Sequence, residues 1–110
     1  MSDQVIDIAD RTHWRQTALE ADQPVAAAFW ANWCPFCRRF MPTFGQLAQE
    51  FSGAIRFVSV DIDRLPALED AWRIRKIPTV LLLEAGQERK RWVNEQNPAA
   101  YGREFAAVLA

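Results

Sequence analysis

The stretch Val25-Ala26-Ala27-Ala28-Phe29-Trp30-Ala31-Asn32-Trp33-Cys34-Pro35-Phe36-Cys37 decides how this chain folds. Its first six residues form an unbroken apolar run of strand length, the pattern of a strand buried on both faces. From Cys37 onward the period changes. Cys37, Phe40, Met41, Phe44, Leu47, Ala48 and Phe51 recur at three- and four-residue spacing, with Arg38, Arg39, Gln46, Gln49 and Glu50 between them. That spacing predicts an amphipathic helix with one buried face. Pro42 inside it is expected to kink it, and Ser52-Gly53 to end it. The two cysteines therefore stand where a buried strand hands over to a helix.

Outward from this centre, segments alternate. Val5 to Ile8 reads as a short strand, and Asp10 or Thr12 as the cap of a helix running to about Ala21, with Trp14, Ala18 and Leu19 on one side. Ile55 to Ile62, Thr79 to Leu83 and Glu88 to Val93 read as strands, and Leu65 to Trp72 as a helix. Ala85-Gly86-Gln87 is a turn. Asn97-Pro98 is an N-cap followed by a proline in the first turn, opening a last helix whose stripe is Tyr101, Phe105, Val108 and Leu109. A βαβ unit requires parallel strands and a tight turn an antiparallel pair, so the expected architecture is α/β with a mixed sheet and helices on both faces.

At 110 residues the chain is expected to be one domain, residues 1–110. With 13 basic and 14 acidic residues its net charge is -1, which argues against a nucleic-acid binder driven by overall charge. The longest apolar runs fall far short of the roughly 20 residues that a membrane span needs. Met-Ser-Asp-Gln at the start has neither a basic nor an apolar leader region. The expectation is a cytoplasmic protein with no membrane attachment.

Two cysteines are too few for a disulfide scaffold. They can be plain core residues, since free cysteine packs as a small hydrophobe. A zinc half-site would need two more ligands, and His13 is the only histidine. The third reading is chemical. A cysteine at a helix N-terminus faces unpaired N–H groups and the positive end of the helix dipole, which favour its thiolate. Cys34 has that place. Cys37, one turn deeper, is close enough to attack a mixed disulfide formed at Cys34. With Pro35 at the first helical position, the N–H of Phe36 is free to point at the Cys34 sulfur.

Phe29-Trp30-Ala31-Asn32-Trp33-Cys34-Pro35-Phe36-Cys37 resembles the active-site segment of the thioredoxin family, F-W-A-x-W-C-x-x-C. Pro42 falls where the family's second helix kinks, and Asp61-Ile62-Asp63 resembles the acidic end of its third strand. Ile74-Arg75-Lys76-Ile77-Pro78-Thr79 looks like its I-R-x-I-P-T loop, and Gly86 matches its last turn glycine. The resemblance implies a thioredoxin fold with a mixed central sheet of about five strands. It implies a thiol–disulfide oxidoreductase with Cys34 as nucleophile and Cys37 as resolving thiol, and a cis Ile77–Pro78 bond against the reactive pair. Trp33, Pro35, Phe36, Ile77 and Pro78 would line the client site. Disulfide- or thiol-bearing client proteins and a reductase or other dithiol recycling partner are implied, with no cofactor, no metal and a monomeric chain.

Three departures from the family pattern bear on function. The family's buried aspartate beneath the second cysteine is matched by Ala28, and its strand lysine by Ser59. The dipeptide between the cysteines is Pro35-Phe36 in place of Gly-Pro. The glycine flanking the client groove is matched by Asn94. The missing charge pair motivates an alternative, a thioredoxin-fold binding or chaperone-like module with secondary redox activity. Arg38, Arg39, Arg73, Arg75 and Lys76 read first as solvated surface. Gathered at the site, they would favour acidic clients. Trp30, Trp72 and Trp92 read as core or groove wall, Glu88 to Arg91 as an exposed strand edge, and His13 as a surface residue.

Overall fold

The computed structural model describes residues 4–110. Met1 to Asp3, on which the reading of the leader partly rests, lie outside them. The sheet has five strands: β1 (Val5–Asp7), β2 (Val25–Trp30), β3 (Arg56–Asp61), β4 (Thr79–Glu84) and β5 (Gln87–Val93). Their order is β1-β3-β2-β4-β5, with β2 in the centre. Strands β1 and β2 run parallel to β3, while β4 is antiparallel to both β2 and β5. The sheet is mixed, as the alternation of segments implied.

Central β2 is buried from Val25 to Phe29 because alternate residues serve two cores. Ala27 and Phe29 join Val58, Val60, Leu81 and Leu83 on one face, packed against Trp14, Ala18, Leu68 and Ile74. Ala26 and Ala28 join Phe57, Val80 and Leu82 on the other, packed against Phe40, Phe44, Tyr101 and Phe105. The first face is covered by α1 (Arg11–Trp14) and α3 (Pro66–Ala71), the second by α2 (Pro35–Glu50) and α4 (Pro98–Leu109). Among the described residues no helix is long and apolar enough to cross a membrane.

The first helix departs from expectation. Asp10 does cap it, its carboxylate accepting from the His13 N–H at 2.8 Å, but the α-helical part ends at Trp14. Arg15–Leu19 continues as a π-helix, and the chain leaves it at Glu20, whose N–H reaches back five residues to the Arg15 carbonyl. His13 is half-buried, and its Nδ1 accepts from the Ala9 N–H at 2.9 Å, so it completes the cap instead of lying idle on the surface. Pro42 sits within a helix that remains continuous to Glu50. Asn97 caps α4 through the Ala99 N–H, and Pro98 follows it, as read.

Strands β4 and β5 are joined by Ala85 and Gly86, both with positive φ (52° and 76°). Two such residues in a row match the right-handed twist of a two-residue hairpin. A side chain on Gly86 would also lie 3.0 Å from the Leu19 carbonyl oxygen, so that position has a steric reason to be glycine.

Phe105 stands at the middle of the α2–α4 core, fully buried, with ring centroids 5.3 Å from Phe51, 5.5 Å from Phe57 and 5.8 Å from Trp92. Phe105→Ala is expected to cost about 3–5 kcal/mol, seen as a lower urea midpoint at unchanged slope. Leu109→Ala, on the exposed end of the same helix, should stay within about 0.5 kcal/mol.

Candidate active site

β2 ends at Trp30, and Cys34 caps α2 with extended backbone (φ -90°, ψ 114°) while Pro35 takes the first helical position. A proline belongs there, since its missing N–H would have had no partner in the helix. The Cys34 sulfur then does what a serine or aspartate cap does: it accepts the Cys37 N–H at 3.3 Å. The donor that reaches the sulfur is therefore Cys37's and not Phe36's. A proline at position 36 would leave that bond in place.

Both cysteines are free thiols and both are buried, Cys34 at 4% exposure and Cys37 at none. Burial pushes the Cys37 thiol up to about 12, and the neighbouring Cys34 sulfur adds to the shift, while a backbone hydrogen bond at Ala31 opposes it. Desolvation disfavours the charged form, and among the described residues no cation opposes it.

The cis Ile77–Pro78 bond lies across from Cys34, whose sulfur is 3.8 Å from the Ile77 carbonyl oxygen. The loop is held from both sides. Thr79 Oγ1 donates to the Lys76 carbonyl at 2.6 Å, and the Asn94 N–H donates to the Pro78 carbonyl at 2.8 Å. Trp33 (63% exposed), Phe36 (47%) and Val93 (49%) supply three of the large apolar side chains left in solvent, and all belong to the segments around this loop. Ile77 is half-buried and Pro78 buried, so the structure brings Pro78 to the floor of the site and leaves Trp33 and Phe36 on its rim.

Sequence reasoning missed what orients that rim. Trp33 Nε1 donates to Asp63 Oδ2 at 2.9 Å, and the Asp63 N–H donates to Asp61 Oδ1 at 2.9 Å, so the acidic end of β3 fixes the tryptophan. Arg91, read as part of a soluble edge, donates to the carbonyls of Trp72 and Arg73 and is held by Glu88 at 2.9 Å. It caps the end of α3, from which the proline loop departs. The Arg39 guanidinium sits 4.9 Å over the Phe36 ring, a contact that three-residue spacing on a helix makes available. Arg38, Arg73, Arg75 and Lys76 are exposed, with no ion pair among the described residues.

Ala28 is fully buried, and Ser59, its partner on β3, donates its hydroxyl to the Asp7 carboxylate on β1. These two positions thus hold a neutral alanine and a satisfied hydroxyl, and neither carries a charge. Among the described residues no cluster of three His, Cys, Asp or Glu side chains is arranged to hold a metal. A cleft of about 460 Å³ is lined by Trp30 at the end of β2 and by Arg38, Met41, Pro42 and Gln49 of α2.

The thioredoxin family profile matches residues 5–104. Thioredoxin 1 of Nostoc sp. is 37% identical over 81 residues, covering 74% of this chain and 75% of that protein. Chloroplastic thioredoxin M4 of Arabidopsis thaliana is 36% identical over 78 residues, 71% of this chain and 40% of its own length. The chain thus spans about half the length of the chloroplastic M-type relatives that it matches. The crystal structure of Malassezia sympodialis thioredoxin (Mala s 13) superposes with a TM-score of 0.87 over 96% of this chain and 91% of that one, at 24% identity.

The raised Cys37 thiol makes a pH prediction. Below about pH 9 the thiol is protonated in both folded and unfolded chains. Above it the unfolded chain releases a proton that the folded one keeps to about 12. The reduced protein should lose stability progressively from pH 9 upward. Cys37→Ala should flatten that decline, as read by thermal melts from pH 8 to pH 10.5.

Proposed function

The chain belongs to the thioredoxin family, and on that premise we propose that residues 1–110 work as one domain exchanging disulfides with client proteins through Cys34 and Cys37. The observation that carries this reading is the Cys34 sulfur at the head of α2, open to the cis-proline loop, with Cys37 one turn behind it.

The Cys34 thiolate attacks one sulfur of the client disulfide. A bond forms between the two sulfurs, the client S–S bond breaks, and the departing thiolate takes a proton. Cys37, once deprotonated, attacks the Cys34 sulfur; a Cys34–Cys37 disulfide forms and the second client sulfur leaves. The client gains two electrons and the dithiol loses them. A reductase or another dithiol then returns the pair to its reduced form.

The apolar rim of Trp33, Phe36 and Val93 supports binding of an extended client segment, with backbone groups of the Ile77–Pro78 loop offered for main-chain pairing. Chloroplastic and bacterial proteins both appear among the relatives; for this chain we propose a cytoplasmic monomer. The raised Cys37 thiol favours a second reading in one respect. A slow resolving step prolongs the mixed disulfide, and a protein that holds clients longer than it reduces them is a binding module with secondary redox activity.

Reduction of insulin by dithiothreitol separates the two. An exchange enzyme accelerates it well above dithiothreitol alone, Cys34→Ser abolishes the acceleration, and Cys37→Ser traps a client adduct. Activity no better than dithiothreitol favours the binding module.

Resolution is also expected to accelerate with pH. Release of client from a preformed Cys34 adduct should rise about tenfold per pH unit between pH 7 and pH 9, following the thiolate fraction of Cys37. Ala28→Asp supplies a base and should speed release near neutrality while lowering the melting temperature, because a buried carboxylate is costly to ionise. Stopped-flow exchange and thermal melts check both halves. A rate independent of pH would show that another group already serves as the base.

A further inference from the structure

The rim of the site is closed on one side by two residues after β5. Asn94 sits in the left-handed region (φ 54°), with its N–H on the Pro78 carbonyl. Gln96 Nε2 donates to the Phe36 carbonyl and to Asn94 Oδ1, each at 3.3 Å. One side chain thus ties the loop after β5 to the first turn of α2, while the Asn94 backbone ties it to the proline loop. These bonds join the three segments that surround the Cys34 sulfur.

The bridge also fixes the Asn94 amide. Its oxygen is engaged by Gln96, while its Nδ2 donors have no acceptor among the described residues, and Asn94 itself is exposed. On the first turns of α2, the Arg39 guanidinium lies over the ring of Phe36, whose carbonyl Gln96 holds, with no carboxylate paired to Arg39 among the described residues. Glu95 Oε2 accepts from the Asn97 N–H. At the Asn94 side chain this part of the rim offers amide donors, with the Arg39 charge on the far side of Phe36.

We propose that Asn94, oriented by Gln96, is a specificity-determining residue that selects clients with an acidic side chain flanking the reacting cysteine. The inference rests on the exchange reading above and adds the chemistry of the client to it. A carboxylate at that place accepts from Asn94 Nδ2 and lies in the field of Arg39; a leucine there leaves the amide donors unpaired against an apolar side chain.

The test uses two ten-residue peptides, each closed by one disulfide and differing only in Asp or Leu beside the attacked cysteine. kcat/KM is measured for each and divided by that peptide's rate with dithiothreitol, which removes the intrinsic effect of the charge. The wild type should favour the aspartate peptide by about fivefold, the size of one ordinary net hydrogen bond. Asn94→Gly and Gln96→Ala should bring the ratio towards one. Asn94→Asp, which keeps a residue tolerant of positive φ but reverses the charge, should push it below one. The deciding variant is Asn94→Gly: a purely structural role for Asn94 would change its overall rate and leave the aspartate-to-leucine ratio at the wild-type value.

Equal ratios in the wild type and all three variants, with exchange proceeding, would overturn the inference and leave the exchange reading intact. The converse is read from non-covalent binding of the two peptides to Cys34→Ala by amide chemical shifts. If the wild type reduces neither peptide nor 2-hydroxyethyl disulfide while Cys34→Ala still prefers the aspartate peptide, the exchange reading falls and the selectivity stands. No preference in either experiment overturns the inference.

Discussion

An α-helix begins with backbone N–H groups that its own turns cannot satisfy, and in this chain one of the first belongs to Cys37 and is met by the sulfur of Cys34. That bond makes the same atom both a structural cap and the sulfur that faces the cis-proline loop. It requires the helix to start at one place, and β2 sets that place. Because β2 is the central strand and is buried on both faces, its end cannot shift without disturbing both cores. The position of the sulfur is thus inherited from the most constrained strand of the sheet.

The features legible in the sequence were those that act over short distances. The apolar run of β2, the three- and four-residue spacing of α2 and the cap at Asn97 each declare themselves within one turn or one strand, and each stands where it was read. The cis bond at Pro78 was legible only through family resemblance, since sequence marks that proline merely as a break. What stayed hidden were contacts between distant residues: Asp63 on Trp33, Arg91 on the end of α3, and Gln96 on Phe36, sixty residues away. A polar side chain in a loop carries no periodic signal, so only the assembled fold reveals its partner. The π-helix at Arg15 and the cap made by His13 were missed for a related reason, because the spacing of Trp14, Ala18 and Leu19 is compatible with more than one helical width.

The loss of a buried charge pair is self-consistent in physical terms. One ion of such a pair left alone in the core would have been costly, and neither Ala28 nor Ser59 supplies one. Ser59 instead turns its hydroxyl to Asp7 on the neighbouring strand, so the polar atom that remains is satisfied at the edge of the core. The cysteine pair is left in apolar surroundings, and the Cys37 thiol responds to that burial more than to any charge.

The three alanines at the heart of β2 have a consequence for how this protein is free to vary. Ala26, Ala27 and Ala28 are wholly buried, and they keep the helical layers of both faces close to the sheet. Larger residues there would overpack two cores at once, so inheritable change at the centre is penalised from both sides. The rim is built differently, from a helix start, a proline loop and the segment after β5, joined by a few polar bonds rather than by packing. Such a division lets mutation explore new partners at the rim while the centre, and with it the chemistry, is inherited unchanged.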